Sequence, residues 1–202
     1  MSIRNLKAPS GNLRVRTFHR TASRTAVTLA ITLVGVGAAA PVGHETGPVW
    51  DLASRGPLRV WIQPLPTVAG PGSLTVDAVR FAVLEWDALR LPLRMHLDAD
   101  SLSANIRVVW IEKFDEPISG RTVCIDDGGQ HIVSAEVMLA LRHADSRVLN
   151  DEETRVLALH ELGHAIGLTH SEDSTSVMAP RVRVRALTAD DSTRAMHLYS
   201  PR

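Results

Sequence analysis

The spacing of apolar positions predicts a strand followed by a helix in the first half of the chain. Residues 58–62 alternate and are rich in β-branched and aromatic side chains, which is typical of a strand. Val76, Val79, Val83 and Trp86 then recur every three or four positions. This period predicts an amphipathic helix over residues 75–89, with the tryptophan in the core.

Two apolar runs and a second helix are predicted further along. Residues 106–111 and 131–139 read as strands, and the first is apolar enough to be buried on both faces. Asn150 and Asp151 are suitable N-cap residues for a helix that continues past residue 159. This order of elements predicts an α+β domain built around one mixed sheet.

The N-terminal region has the pattern of an export signal. The first forty residues carry six bases and no acid, and residues 26–40 are apolar and end in three alanines. We therefore predict a signal peptide over residues 1–40, a linker rich in glycine and proline over residues 41–56, and one catalytic domain over residues 57–202. The alternative is an uncleaved N-terminal membrane anchor.

Charge and cysteine content narrow the class of protein. Beyond residue 40 the chain has 16 bases against 22 acids, a net charge of −6, which argues against a nucleic-acid partner. Cys124 is the only cysteine, so no intrachain disulfide forms. A lone cysteine is usually a small buried apolar residue.

The chemistry is concentrated in the stretch HELGHAIGLTH, residues 160–170. His160 and His164 are four positions apart, so a helix presents both imidazoles on one face to one ion. Glu161 is placed to reach a water on that ion. Gly167 tolerates a positive φ, so it is suited to end the helix and let the chain bring His170 back. Three imidazoles with one open position describe a catalytic zinc site.

These residues resemble the metzincin zinc peptidases, whose motif is HExxHxxGxxH. Met178 is similar to the methionine of their turn beneath the metal, where it is a floor and not a ligand. Ser171, after the third histidine, and the sequence Met178-Ala179-Pro180 resemble the matrixin subfamily, in a minimal bacterial form. Residues 187–199 are similar to its C-terminal helix. The resemblance implies a zincin-like fold with a mostly five-stranded mixed sheet, an active-site helix and a C-terminal helix.

The resemblance implies a secreted zinc endopeptidase that acts on proteins or peptides, with Glu161 as general base. It also implies that substrate pairs with an edge strand, for which residues 132–139 are the candidate, and that Ala179, Pro180 and Arg181 wall a substrate pocket. We expect a monomer. The alternative function is a non-catalytic zinc-bound binding module on the same fold.

The sequence also departs from the matrixin pattern. The region before Pro57 contains no cysteine to cap the zinc, so we infer no cysteine-based latency. The second zinc and the calcium loops of the family have no clear counterpart. Asp126, Asp127 and His131 are candidates for such a loop, but the sequence Asp-Asp-Gly-Gly is more typical of a turn.

Overall fold

The computed structural model describes residues 14–19, 47–52, 56–65 and 73–200. It contains seven strands and three helices within these ranges. In chain order the elements are β1 (Arg14–His19), β2 (Val49–Trp50), β3 (Leu58–Ile62), α1 (Ser73–Ala88), β4 (Met95–Asp98), β5 (Ile106–Ile111), β6 (Gly120–Asp126), β7 (His131–Ala140), α2 (Asp151–Ala165) and α3 (Ala189–Tyr199).

The strands form one mixed sheet in the order β1-β6-β7-β5-β3-β4, and β2 pairs with the first residues of β7. Strands β4, β3, β5 and β7 run parallel, whereas β6 is antiparallel to β7 and β1 is antiparallel to β6. The predicted mixed sheet is therefore confirmed. It has seven strands instead of five, because β1 and β2 add residues from before the predicted domain.

The predicted local elements are mostly found. The strands at 58–62 and 106–111 and the helix near 75–89 are confirmed. The prediction that β5 is buried on both faces is wrong, because Ile106, Val108 and Trp110 are buried while Arg107 faces solvent. Strand β6 was not predicted. Its buried face carries Gly120, Thr122, Cys124 and Asp126, and this polar composition conceals the alternation.

Helix α2 lies at the centre of the domain, in contact with α1 and with strands β6 and β7. It begins with a capping box, in which Asn150 accepts from the Glu153 amide and Glu153 accepts from the Asn150 amide. Hydrogen bonds from Arg147 hold the pKa of Glu153 at about 2. The capped start fixes where the helix begins, and therefore which residues face the core one turn later.

Three aromatic side chains donate hydrogen bonds to backbone carbonyls in α2 or at its C-terminal end. The Trp86 indole donates to the Leu159 carbonyl at 3.0 Å, and the Trp50 indole donates to the Ala165 carbonyl at 2.9 Å. The Tyr199 hydroxyl donates to the Ile166 carbonyl at 2.6 Å. The last two satisfy carbonyls that the end of a helix leaves without partners. Strand β2 and helix α3 thus both dock on the end of α2.

No helix within the described ranges has the length and apolar character to cross a membrane. The apolar stretch over residues 26–40, on which the signal-peptide and anchor hypotheses rest, lies outside those ranges. Within the predicted signal segment the structure describes β1 alone.

Candidate metal centre

His160 and His164 project from one face of α2, one turn apart. Both are buried, at 1% exposure each. Their Nε2 atoms are 3.2 Å apart and the two rings meet edge to face. The helix therefore directs two imidazole nitrogens at the same point.

Backbone carbonyls fix the tautomer of both rings. His160 Nδ1 lies 2.7 Å from the Val177 carbonyl, and His164 Nδ1 lies 2.8 Å from the Leu168 carbonyl. Because a carbonyl only accepts, each Nδ1 carries the proton and each Nε2 carries a lone pair. Two lone pairs facing each other repel, and a cation between them removes the repulsion. This donor arrangement is the one found around protein-bound zinc.

The chain reverses after α2 at Gly167. Its φ is +101°, a conformation that side chains with a Cβ rarely adopt. A Cβ at this position would also lie 2.9 Å from the Pro48 carbonyl oxygen. The reversal brings His170 back, so that the ligand atoms of His160, His164 and His170 all lie within 4.8 Å of one another. The structure thus brings the three predicted ligands together.

The electrostatics of the cluster suit a divalent cation. Burial, and then the nearby His160, lower the pKa of His164 well below its ordinary value. A neutral imidazole is the form that binds a metal. Three imidazole nitrogens around one point fit Zn²⁺ with a fourth position for water. Within the described residues, no other group of histidine, cysteine or acidic side chains has this geometry.

The turn at Met178 packs against helix α2. Met178 is fully buried, and a Cβ on Gly163 of α2 would collide with its thioether. The Met178 carbonyl accepts from the Ser171 amide at 2.9 Å. The segment between Ser171 and Met178 is therefore closed on itself, and it packs against α2 at Gly163.

Asp191 of α3 ties this turn to the rest of the domain. It is fully buried and accepts from the Ser176 hydroxyl, from the Val177 amide at 3.1 Å and from the Thr188 amide at 2.9 Å. The carbonyl of the same Val177 orients His160. A carboxylate on the last helix thus helps to position a candidate ligand on α2.

Glu161 is buried at 1% exposure, and its carboxylate is oriented by Thr122 of β6. The Thr122 hydroxyl lies 2.7 Å from Glu161 Oε2 and 2.9 Å from the Glu161 carbonyl oxygen. At Gly120, two positions away on the same face, a Cβ would collide with the Glu161 carboxylate. Strand β6 is therefore shaped around this glutamate.

A cavity of about 310 Å³ opens beside His160. Its apolar lining comes from Leu149, Val156, Leu157, Val182 and Val184, and its polar lining includes Ser119, His143, Glu152, Glu153, Arg183 and Arg185. Ala179, Pro180 and Arg181, the predicted wall, are not among its lining residues; the next four residues of the chain line it instead.

Two other sequence expectations change with the structure. The prediction that residues 132–139 form an edge strand is wrong, because β7 lies between β5 and β6. The loop after β6 is a hydrogen-bonded turn: Asp126 accepts from the Gly128 amide, and Asp127 accepts from the amides of Gly129 and His131. Those carboxylates are engaged in local backbone bonds, as the turn reading predicts.

Cys124 is a buried packing residue on the inner face of β6. Burial raises the pKa of its thiol to about 12, so it is not a reactive thiolate at neutral pH. Its sulfur lies 3.6 Å from the His164 carbonyl.

Sequence reasoning missed Thr122 and Asp191 as residues of this centre. It also missed Phe18, whose ring stacks on the His164 imidazole with centroids 4.7 Å apart. The only sequence signal at Asp191 is the capping box that it forms with Thr188 at the start of α3. Thr122 and Phe18 belong to strands that come from distant parts of the chain and meet only in the sheet. No local pattern marks them.

Comparison with known proteins agrees with this geometry. Residues 75–200 match the peptidase family described as Matrixin. Metalloendoproteinase 1-MMP of Arabidopsis thaliana is 33% identical over 84 residues, which cover 38% of this chain and 22% of that protein. Matrix metalloproteinase-26 of Homo sapiens is 43% identical over 49 residues, covering 22% and 19% respectively. The aligned parts thus span about a fifth of each relative. The family match covers most of the chain, including the three histidines, and the chain therefore belongs to the matrixin family.

Proposed function

We propose that this chain is a secreted zinc-dependent endopeptidase that hydrolyses peptide bonds in proteins or peptides. His160, His164 and His170 hold the zinc ion, and Glu161 is the general base. The observation that carries the proposal is the convergence of three imidazole nitrogens within 4.8 Å, with the buried carboxylate of Glu161 on the same helix as two of them. The family membership of the chain supports the same reaction class.

The chain's own residues provide proton transfer and orientation. Zinc bound by the three histidines supplies Lewis acidity, which polarises the scissile carbonyl and makes the attacking water more acidic. The Glu161 carboxylate takes the proton of that water and delivers it to the leaving amine. The Thr122 hydroxyl orients the carboxylate through its hydrogen bond to Oε2. Oε1 is then the oxygen that accepts the proton of the water.

The cavity beside His160 is our candidate for the pocket that receives the side chain after the cut. Its apolar lining favours an apolar substrate residue. At its edge, Arg185 forms an ion pair with Glu152 at 2.9 Å, so the charges near the opening are partly neutralised. Residues 182–185 replace residues 179–181 in the proposed wall.

The alternative, a non-catalytic zinc-bound binding module, gives no reason for the arrangement around Glu161. Burying a carboxylate is unfavourable unless it is well bonded. Here β6 provides both a donating hydroxyl at 2.7 Å and a glycine that makes room for the side chain. A module that only holds zinc needs neither.

Cleavage of casein or of a peptide library by the purified zinc-loaded chain tests the proposed function. We expect cleavage that a chelator stops and that added zinc restores, because a carboxylate without the metal has no activated water. Mass spectrometry of the products would also give the residue preferred after the cut. Stoichiometric zinc without any cleavage would support the binding module instead.

The role of Thr122 gives a more specific prediction. Thr122→Val keeps the side-chain volume and removes the hydroxyl, so the Glu161 carboxylate loses its orienting donor. We expect kcat to fall by about 10- to 100-fold, while zinc content and KM stay near those of the parent. Thr122→Ser should recover most of the rate. An increase in KM with kcat unchanged would instead place Thr122 in substrate binding.

A further inference from the structure

Helix α3 has one buried face, and this face contains an acid and a base. The buried residues of the helix are Asp191, Arg194, Ala195, Leu198 and Tyr199. They recur at intervals of three and four positions, which places them on one side of a helix. The opposite side, with Thr193, Met196 and His197, is exposed. The buried arginine is the residue of this face that the candidate metal centre has not yet explained.

The C-terminal end of this face packs on the start of the reversal that follows α2. The Tyr199 hydroxyl donates to the Ile166 carbonyl at 2.6 Å. A Cβ on Gly167 would lie 3.3 Å from Leu198 Cδ2, so this leucine packs closely against the glycine. The end of α3 therefore fixes the first two residues of the reversal, and the course of the chain toward His170 depends on residues 168 and 169.

Arg194 holds the residue immediately before His170. Its Nη2 donates to the Thr169 carbonyl oxygen at 3.0 Å, and the arginine is buried, with 8% of its surface exposed. The accepting carbonyl belongs to the peptide bond that joins Thr169 to His170, so the hydrogen bond restricts the backbone rotation that aims the His170 ring. A hydrogen bond from a charged donor is stronger than one between neutral groups. His170 lies in an irregular segment after the helix, so its placement depends on contacts of this kind.

The charge of Arg194 does not itself favour a bound cation. Burial is the largest cause of the lowered pKa of His164, and the Arg194 charge is a smaller cause that acts in the same direction. The charge is therefore felt at the centre, and a positive charge near Zn²⁺ is repulsive. Any benefit of this arginine to the metal thus comes from its hydrogen bond and not from its charge.

We propose that Arg194 is a positioning residue for the zinc site, which holds the Thr169 carbonyl so that His170 returns to the other two histidines. The inference rests on the proposed function, in which His170 is the third ligand. Asp191, one turn earlier on the same face of α3, acts on His160 through the backbone in the same way. Helix α3 then positions two ligands, each through the carbonyl of a residue outside the helix.

The zinc affinity of the folded chain tests this proposal, because it is measured without turnover. Arg194→Met keeps a long side chain and removes both the donors and the charge. We expect its zinc dissociation constant to be at least about tenfold higher than that of the parent, as for other groups that orient metal ligands. Loss of the charge alone would lower this constant, so a rise reports the lost hydrogen bond. Competition with a chromophoric chelator of known affinity gives the constants.

A conservative variant and a matched control separate positioning from packing. Arg194→Lys keeps the charge and a donor, so it should recover most of the zinc affinity. Arg142→Met should bind zinc as the parent does, because Arg142 pairs with Glu112 on the surface. Thermal unfolding without zinc shows that each variant is folded at the temperature of the titration. If Arg194→Met does not fold, Arg194→Gln carries the same prediction of weaker zinc binding, since its amide is on a shorter stem.

A parent-like zinc dissociation constant in folded Arg194→Met or Arg194→Gln would overturn the positioning role, even if the variant had a lower Tm. An affinity of Arg194→Lys no better than that of Arg194→Met would also overturn it, and would assign the arginine to packing. Failure of the proposed function would appear separately, in His170→Ala. If that variant bound zinc as the parent does, the third ligand would be wrong, whatever the arginine variants did.

Discussion

Replacing Glu161 with glutamine should lower peptide hydrolysis by about 10²- to 10⁴-fold, the contribution expected of one positioned acid–base group. Glutamine has nearly the same shape and retains an oxygen that accepts from Thr122, so the fold and the three histidines should be undisturbed. It cannot take a proton from water at neutral pH. The measurement is kcat/KM on a short fluorogenic peptide, together with zinc content by elemental analysis.

Glu112→Gln is a suitable control for this substitution. Glu112 is exposed and pairs with Arg142 on the surface, so its replacement should leave both rate and zinc content unchanged. A Glu161→Gln chain that kept its activity would remove Glu161 from the mechanism. One that lost activity together with its zinc would point to a structural role for the carboxylate.

The second large effect is expected on metal affinity. His170→Ala removes one of three converging nitrogens and leaves His160 and His164, which a helix alone provides. We expect zinc to bind far more weakly and cleavage to be lost. Metal that binds only the folded state raises stability by about 2.7 kcal/mol at 100 times its dissociation constant. That zinc-dependent stabilisation should disappear in the variant.

Thermal unfolding with and without added zinc measures this effect. His197→Ala is the control, because His197 is an exposed residue of α3 outside the cluster. The parent and His197→Ala should gain the same increase in Tm from zinc, while His170→Ala should gain none. An undiminished increase in His170→Ala would exclude His170 as a ligand.

The arrangement of site residues that lie close together along the chain could be predicted from the sequence. His160 and His164 share a helix face because of helix geometry, and Gly167 has the positive φ that its position suggested. The return of His170 followed from the same glycine. Each of these inferences concerns residues within about three turns of one another, where backbone geometry leaves few alternatives.

The parts that depend on long-range pairing could not be predicted in this way. Strand β6 was missed because Thr122 and Asp126 are polar residues on its buried face. The resemblance implies an edge strand just upstream of the active-site helix, and in the sequence the strand in that place is residues 132–139. The pairing of β1 with β6 joins residues about a hundred positions apart, and nothing in residues 14–19 identifies the partner strand. Register between distant strands is decided by the assembled sheet.

The pairing of β1 with β6 depends on the chain between them being intact. Residues 20–46 join β1 to the segment that begins at Gly47, so the strand is tethered and rebinds after each dissociation. A tether of this kind corresponds to a local concentration on the order of millimolar. A single cut within residues 20–46 would turn rebinding into a bimolecular event at the concentration of the free peptide. Mass action would then empty the outer edge of β6, and the cleavage expected after the predicted signal peptide, residues 1–40, is a cut within this segment.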